Sequence, residues 1–412
     1  MKILILTQYF PPEVGAPQNR LFELAVRLKA AGEEVTVLTA MPNYPWMEIH
    51  RDYVGKKSMI EIMDGLTVHR TRIYVSKSKS IIQRLLNYFS FVWLSYWYGR
   101  KMKESFDYIL CESPPLFLGI SARLLCKVKK ARLIFNVSDL WPESAEKLGL
   151  VTNKFFLWAA TILEEYLYRK SFLITGQTQG IVKDISGRFP QKNVYWLPNG
   201  VDLKLFSGNF ESKWRSDQGI SKEAFLLVYA GILGHAQGLN LIIKAADKLR
   251  NNSRIHFLIM GSGPLREELI AEAERLELKN ITFHAVVKKG EMPAILSTCD
   301  ASIIPLKKLD LFKGAIPSKI FEVLAMKKPI LLGVEGEAKE IFIDRGNAGI
   351  YFTPENVEEL LAAILKLSQN PELCKQLGAN GYAFVEEHFT RDMIANKFLD
   401  YLRELHSGAH KI

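Results

Sequence analysis

Residues 1–40 read MKILILTQYFPPEVGAPQNRLFELAVRLKAAGEEVTVLTA. The run Lys2–Thr7 is nearly all apolar, and a loop rich in proline and glycine follows it. In the next stretch Leu21, Leu24, Ala25 and Leu28 recur at helical spacing, and after Gly32 comes a second apolar run, Glu34–Thr39. Runs that are apolar throughout, rather than at alternate positions, belong to strands covered on both faces, which are parallel. The helix expected over Asn19–Ala31, stopped by Gly32, is the crossover between them. Such a strand–helix–strand unit, repeated, is a doubly wound α/β fold.

The alternation does repeat. Tyr108–Glu112, Leu133–Val137, Phe172–Gly176 and Tyr195–Leu197 extend the first set of strands. Leu226–Ala230, His256–Met260, Thr282–Val286, Ala301–Pro305 and Ile330–Val334 form a second. Eleven runs are more than one sheet of this kind usually holds, so two sheets are expected. The break is placed at Leu197-Pro198-Asn199-Gly200-Val201-Asp202, a strand end running into a turn. The domains are then 1–200 and 203–385. A C-terminal helix within 386–412, with Met393, Ile394, Phe398, Leu399 and Leu402 at helical spacing, is expected to pack back onto the first.

With 54 Lys and Arg against 44 Asp and Glu, the net charge of +10 favours polyanionic partners. No zinc-finger, helix-turn-helix or RNA-binding signature accompanies it, so nucleic acid is not an expected partner. The four cysteines have no CxxC spacing and fit a reducing compartment. The first apolar run is short and bounded by Pro11-Pro12, so it reads as a strand, not a signal peptide, and the expected location is cytoplasmic.

Residues 77–104 break the pattern. Between Ile81 and Gly99 the only charge is Arg84, while Tyr88, Phe89, Phe91, Trp93, Tyr96, Trp97 and Tyr98 crowd the second half. Lys77, Lys79, Arg100, Lys101 and Lys103 flank it. The uncharged stretch falls short of the ~20 residues needed to span hydrocarbon. Aromatics between cations suit a helix lying in the headgroups of an anionic membrane. The competing reading is a buried core helix.

Ligands of doubly wound sheets bind beyond the carboxyl ends of the strands. Three stretches there carry chemistry. Gly15, before the first helix, lets backbone approach a phosphate. Gly231, Gly234 and Gly238 crowd the loop after Leu226–Ala230, and Gly261 and Gly263 follow His256–Met260 without completing a dinucleotide fingerprint. In Gly314-Ala315-Ile316-Pro317-Ser318-Lys319-Ile320-Phe321-Glu322, Ser318 reads as a helix N-cap, with Lys319 adding a full charge to an anion site. Glu322 can accept two hydroxyl hydrogen bonds, as a ribose diol requires. No Asp-x-Asp pair is present to hold a divalent metal against a diphosphate, so neither metal nor cofactor is expected.

Together, Pro11–Ala16 (PPE-x-G-A), LPNGVD at 197–202, AGILGHAQG at 230–238, GSGPL at 261–265 and PSK-x-x-E-x-LA at 317–325 resemble glycosyltransferase family four over nearly the whole chain. The 230–238 and 316–325 stretches, with Asp139-Leu140-Trp141-Pro142-Glu143, look most like its O-antigen and capsule branch, the L-fucosamine transferase-like group. The resemblance implies the GT-B fold, two Rossmann-like domains facing each other across a cleft, the first for acceptor and the second for nucleotide sugar. It implies a retaining transfer of a sugar, N-acetyl-L-fucosamine or a related hexosamine, from a UDP-sugar to a polyprenyl diphosphate-linked saccharide at the inner face of the membrane. By the same resemblance Lys319, Ser318 and Pro317 face the diphosphate, with Gly231, Gln237, Gly261 and Gly15. Glu322 contacts the ribose, Val286 and Val287 the base, and Asp139 the acceptor. Lys319, Asp139 and Glu322 are the expected catalytic residues. The family's first glutamate falls on Gly314, and its phosphate-loop Arg and Lys fall on Ile232 and Gln237. Two rival readings are a nucleotide-sugar epimerase on the same fold and a non-catalytic nucleotide-sugar-binding protein.

Overall fold

The computed structural model describes residues 1–408 except Val14, Pro45, Lys79, Leu150, Ser207, Asn209 and Glu211, and only the backbone of Ile81. Lys79, expected to flank the aromatic segment, and the end of the expected 386–412 helix segment therefore lie outside the described residues. The chain divides into two compact units, Met1–Pro198 with Asp392–Ile412, and Asn199–Arg391.

The first unit holds an eight-stranded sheet. Its strands are β1 (Lys2–Leu6), β2 (Glu34–Ala40), β3 (Ser58–Met63), β4 (Leu66–Thr71), β5 (Tyr108–Ser113), β6 (Arg132–Val137), β7 (Leu173–Gly176) and β8 (Val194–Trp196). They lie in the order β3-β4-β2-β1-β5-β6-β7-β8. Every neighbouring pair is parallel except β3–β4. That antiparallel hairpin corrects the expectation of a purely parallel sheet. It turns at Asp64-Gly65, with φ of 45° and 77°, the conformation in which Asp-Gly favours a two-residue turn. β3 is an edge strand with Ile60 and Ile62 exposed, so it carries no continuous apolar run.

Helices cover both faces. On one, α1 (Ala16–Ala30) packs Leu21, Leu24 and Leu28 against Ile3, Ile5, Val35 and Val37. It starts earlier than expected, with Pro17 in its first turn, where the missing N–H costs nothing. The Arg391–Ser407 helix lies on this face and buries Ile394, Phe398, Leu399, Leu402 and Leu405 in the same core. Arg403 donates to Glu33 at 2.7 and 3.1 Å, and Arg27 to Asp392 at 2.6 Å. The opposite face is covered by α2 (Ile81–Lys101), α3 (Leu118–Lys129) and, beyond the short α4 (Glu143–Lys147), α5 (Lys154–Lys170). Within segment 77–104, the helix α2 is two-faced, burying Phe91, Val92 and Ser95 while exposing Trp93 and Trp97.

The second unit holds six parallel strands: β9 (Phe225–Ala230), β10 (Ile255–Met260), β11 (Ile281–His284), β12 (Ala301–Pro305), β13 (Ile330–Gly333) and β14 (Gly349–Tyr351). Their order is β11-β10-β9-β12-β13-β14. β11 stops at His284, short of the Val286 expected in it. The LPNGVD stretch is a fastening between the chain's two crossings: Arg391 Nη2 donates to Asn199 Oδ1 at 2.6 Å, and Val201 bridges to Thr390. Near the centre of each sheet the order of the parallel strands reverses, between β1 and β5 and between β9 and β12. Those reversals open the crevices where such sheets take ligands.

Candidate functional site

In the second unit, loops leaving β9, β10 and β11 are laced together by their backbones. The Gly231 amide donates to the Met260 carbonyl at 3.0 Å, Leu233 to Ser262 at 2.8 Å, and Gly261 to His284 at 3.1 Å. Gly261 has φ of 138°, and a Cβ on it would lie 1.8 Å from the Gly231 carbonyl oxygen. Glycine at 261 is therefore demanded by loop-on-loop packing. Gly231, with φ of 147°, faces the other way: a Cβ there would stand 2.9 Å from Lys319 Nζ.

Lys319 opens the Lys319–Ala325 helix, which β12 reaches through a turn at Asp310–Gly314. Its ammonium sits 3.5 Å from the centre of the Tyr229 ring, a cation–π contact in a partly desolvated setting. The Tyr229 hydroxyl donates to the Ile232 carbonyl at 2.7 Å, which fixes the ring under the glycine loop. Burial lowers the Lys319 amine to about 7, opposed by the nearby Glu322 carboxylate. A lysine so placed gains a proton when an anion arrives beside it.

Ser318 does not cap this helix. It is already in the right-handed helical region and makes no side-chain cap bond. The turn begins one residue sooner, with the Ile320 amide donating to the Pro317 carbonyl at 3.1 Å, so the hydroxyl does not fold back onto the first amides. The helix has only seven residues, and its dipole is a small contributor beside the full charge of Lys319. Gln237 keeps its side chain within its own turn, where its Oε1 would be 2.8 Å from a Cβ on Gly234. Val286 is exposed and Val287 half-buried in the loop after β11. Glycines 231 and 261 and Lys319 are thus brought together at the β9–β12 crevice, with Pro317, Ser318 and Glu322 on the same turn.

The first unit places Gly15 directly before α1 and after the β1 loop, and Asp139 just beyond β6. Between them lies a buried polar network the sequence reading did not single out. Arg20 Nη2 on α1 donates to Glu112 Oε1 at 2.6 Å and to Ser138 Oγ at 2.8 Å. Asn136 donates to the other Glu112 oxygen and accepts from Thr175 at 2.6 Å. The network ties the carboxyl ends of β5, β6 and β7 to α1, one residue from Asp139. Asp139 is exposed as a residue, yet crowding of its carboxyl by the loop raises it above the usual carboxylate range, offset by bonds from the Ser144 hydroxyl and the Leu140 amide. Glu13 anchors the loop that carries Gly15. Its Oε1 accepts from the Asn43 and Tyr44 amides, each at 2.8 Å, and its Oε2 from Phe10 at 3.0 Å. Burial pushes its carboxyl up to about 7 against those bonds. The one sequence signal for this network was Glu112, a carboxylate closing an otherwise apolar run.

Two family descriptions match the chain, "Glycosyl transferase 4-like domain" over residues 15–200 and "Glycosyl transferases group 1" over residues 210–384. Glycosyl transferase WcaI of Escherichia coli (strain K12), a protein assigned to colanic acid biosynthesis, is 27% identical over 418 residues, covering 98% of this chain and all of the relative. Among solved structures, a sucrose-phosphate synthase from Thermosynechococcus elongatus superposes with a TM-score of 0.77 at 15% identity, covering 99% of both chains. Anabaena HepE, in complex with UDP and glucose, superposes with a TM-score of 0.73 at 16% identity, covering 98% of this chain and 100% of that one.

Proposed function

The chain is a glycosyltransferase with the two-sheet GT-B fold, and from that premise we propose that it moves a sugar from a UDP-sugar, with retention, onto a polyprenyl diphosphate-linked saccharide in the making of a bacterial surface polysaccharide. The motif resemblance favours the L-fucosamine transferase-like branch and an N-acetylated deoxyhexosamine as the group moved. The relative assigned to colanic acid and the UDP-bound structural neighbour agree with this direction.

One observation carries the reading. Lys319 holds its ammonium over Tyr229 and beside Gly231, at the crevice of an all-parallel sheet. As the bond from sugar to phosphate breaks, the departing UDP gains negative charge, and a fixed, desolvated ammonium favours that state over the ground state. Gly231 keeps the floor beside Lys319 free of a side chain, and Gly261 lets the next loop pack against it. Pro317, Ser318 and Gln237 line the diphosphate side, Glu322 takes the ribose hydroxyls, and the backbone at Val286 and Val287 takes the base. In the first unit, Asp139 orients the acceptor. The exposed face of α2 holds the enzyme against an anionic membrane.

Replacing Lys319 by Ala is expected to lower turnover about 100-fold or more, the usual loss on removing one transition-state charge partner. A rate near wild type would remove Lys319 from the site. Glycosylated lipid as the product separates this reading from an epimerase, which would return a rearranged nucleotide sugar and leave the lipid untouched.

A further inference from the structure

Two helices of the first unit turn apolar side chains to solvent. On α2 these are Ile82, Leu86, Phe89, Trp93 and Trp97, at steps of four or three residues, with Ile82 70% and Trp93 59% exposed. On α5 they are Phe155, Trp158, Ile162 and Tyr166 at the same steps, with Phe155 74% and Trp158 59% exposed. Each set is one helix face, and each helix has already spent its opposite face on the core, Phe91 and Val92 from α2 and Leu157, Ala160 and Leu167 from α5. Exposed Trp and Phe in such number on one side of a chain mark a contact surface.

The two faces are joined. Phe89 of α2 lies 4.7 Å from Phe117 at the start of α3, and Phe117 lies 6.0 Å from Phe156 of α5. Trp141, two residues past Asp139, packs 5.4 Å from Phe117 and 6.1 Å from Phe156. A line of aromatic rings thus runs from α2 past the Asp139 loop to the first turn of α5.

Exposed cations stand at the ends of both helices. α2 contains no acid and ends in Arg100 and Lys101, both exposed, with Arg84 exposed in its second turn. α5 opens with Lys154 and closes with Arg169 and Lys170, all exposed. Its two acids are engaged by cations of the protein, Glu164 with Arg188 at 2.7 Å and Glu165 with Arg169. Trp and Tyr beside Lys and Arg, with no free carboxylate on the apolar face, is the composition of an element lying at a bilayer surface.

We propose that α2 and α5 form one composite surface that docks on an anionic bilayer, with Phe155 and Trp158 inserted beside the Asp139 loop. It rests on the membrane reading of α2 given above and adds a second helix to it. The consequence is positional: a lipid-borne acceptor would reach Asp139 along the aromatic line without leaving the interface.

The test is co-sedimentation of the full chain, at low salt, with vesicles of phosphatidylcholine alone and with added phosphatidylglycerol. Wild type is expected to bind the phosphatidylglycerol vesicles. Phe155→Ser with Trp158→Ser should lower partition about tenfold or more, since two large apolar side chains leave the interface. Trp93→Ser with Trp97→Ser should do the same. These side chains are exposed, so unchanged circular dichroism and melting are expected in both variants. Undiminished binding of the α5 variant while the α2 variant fails would overturn the composite surface and leave α2 as the docking element. Failure of the wild type to bind would overturn the membrane reading itself. A concentration-dependent dimer abolished by the α5 substitutions would show that a second copy covers the face, and would overturn the proposal.

Discussion

Lys319 is held near a pKa of 7 by burial, whereas a diphosphate placed beside it favours the charged form. Binding of a UDP-hexose, whose diphosphate does not titrate in this range, then takes up a proton above pH 7. Affinity is expected to be full below about pH 7 and to fall by about tenfold per unit above it, until the lysine of the complex titrates in turn. Calorimetry in buffers of different ionisation enthalpy at pH 8 reads the proton directly, and Lys319→Met should flatten the profile. The ligand-free chain shows the opposite slope. Its folded lysine binds fewer protons than the unfolded one, so this residue makes the protein more stable as pH rises from about 7 toward 10.5. Little of this was readable beforehand. The sequence offers a lysine after Pro-Ser, but its depressed pKa arises from burial, which only the fold supplies; the Tyr229 ring that it touches lies ninety residues upstream.

At the scale of elements, the glycine loops behave as a unit because their carbonyls and amides are exchanged. Gly261→Ala would drive a methyl into the Gly231 carbonyl. The expected cost is about 1–3 kcal/mol of stability, together with weaker binding of UDP as the Gly231 loop moves. A thermal melt with and without UDP separates the two, and a variant that melts like wild type and binds like it would refute the packing role. The elements themselves were legible where they were periodic. Each strand with a continuous apolar run was found in place, because burial on both faces leaves that mark. β3 left no such mark, and its turn, Asp64-Gly65, was the one signal for it. β4 and β14 were overlooked as well: one is the inner arm of that hairpin, and the other is three residues long. The first turn of the Lys319–Ala325 helix was misjudged at Ser318, since a capping residue type does not say whether the backbone has already turned.

At the scale of the whole molecule, the first unit is built from two separated stretches of chain. A chain ending at Arg391 would uncover the apolar face of α1 and the strands beneath it. Burial of Phe398, Leu399 and Leu402 contributes about 1.5–3 kcal/mol each, comparable in sum to the stability of an ordinary domain. The truncated protein is expected to lose protection of residues 1–198 to proteolysis while UDP still protects 199–391. Equal protection of both segments would contradict this division of the core. Two units were legible in the count of strands and the Pro-Asn-Gly turn at 198–200. The Arg391–Asn199 bond was not, because nothing in either stretch names the other as its partner. That interleaving also sets an order of manufacture. On the ribosome the first unit is the earliest to emerge and the last to be completed, since its closing helix is translated only after all of 199–391. Until then the apolar surface that this helix covers, with Tyr108 and Tyr195 in contact with it, has no cover. The nascent chain therefore needs either a slow commitment of α1 to its sheet or a chaperone that shields it through the synthesis of an entire second domain.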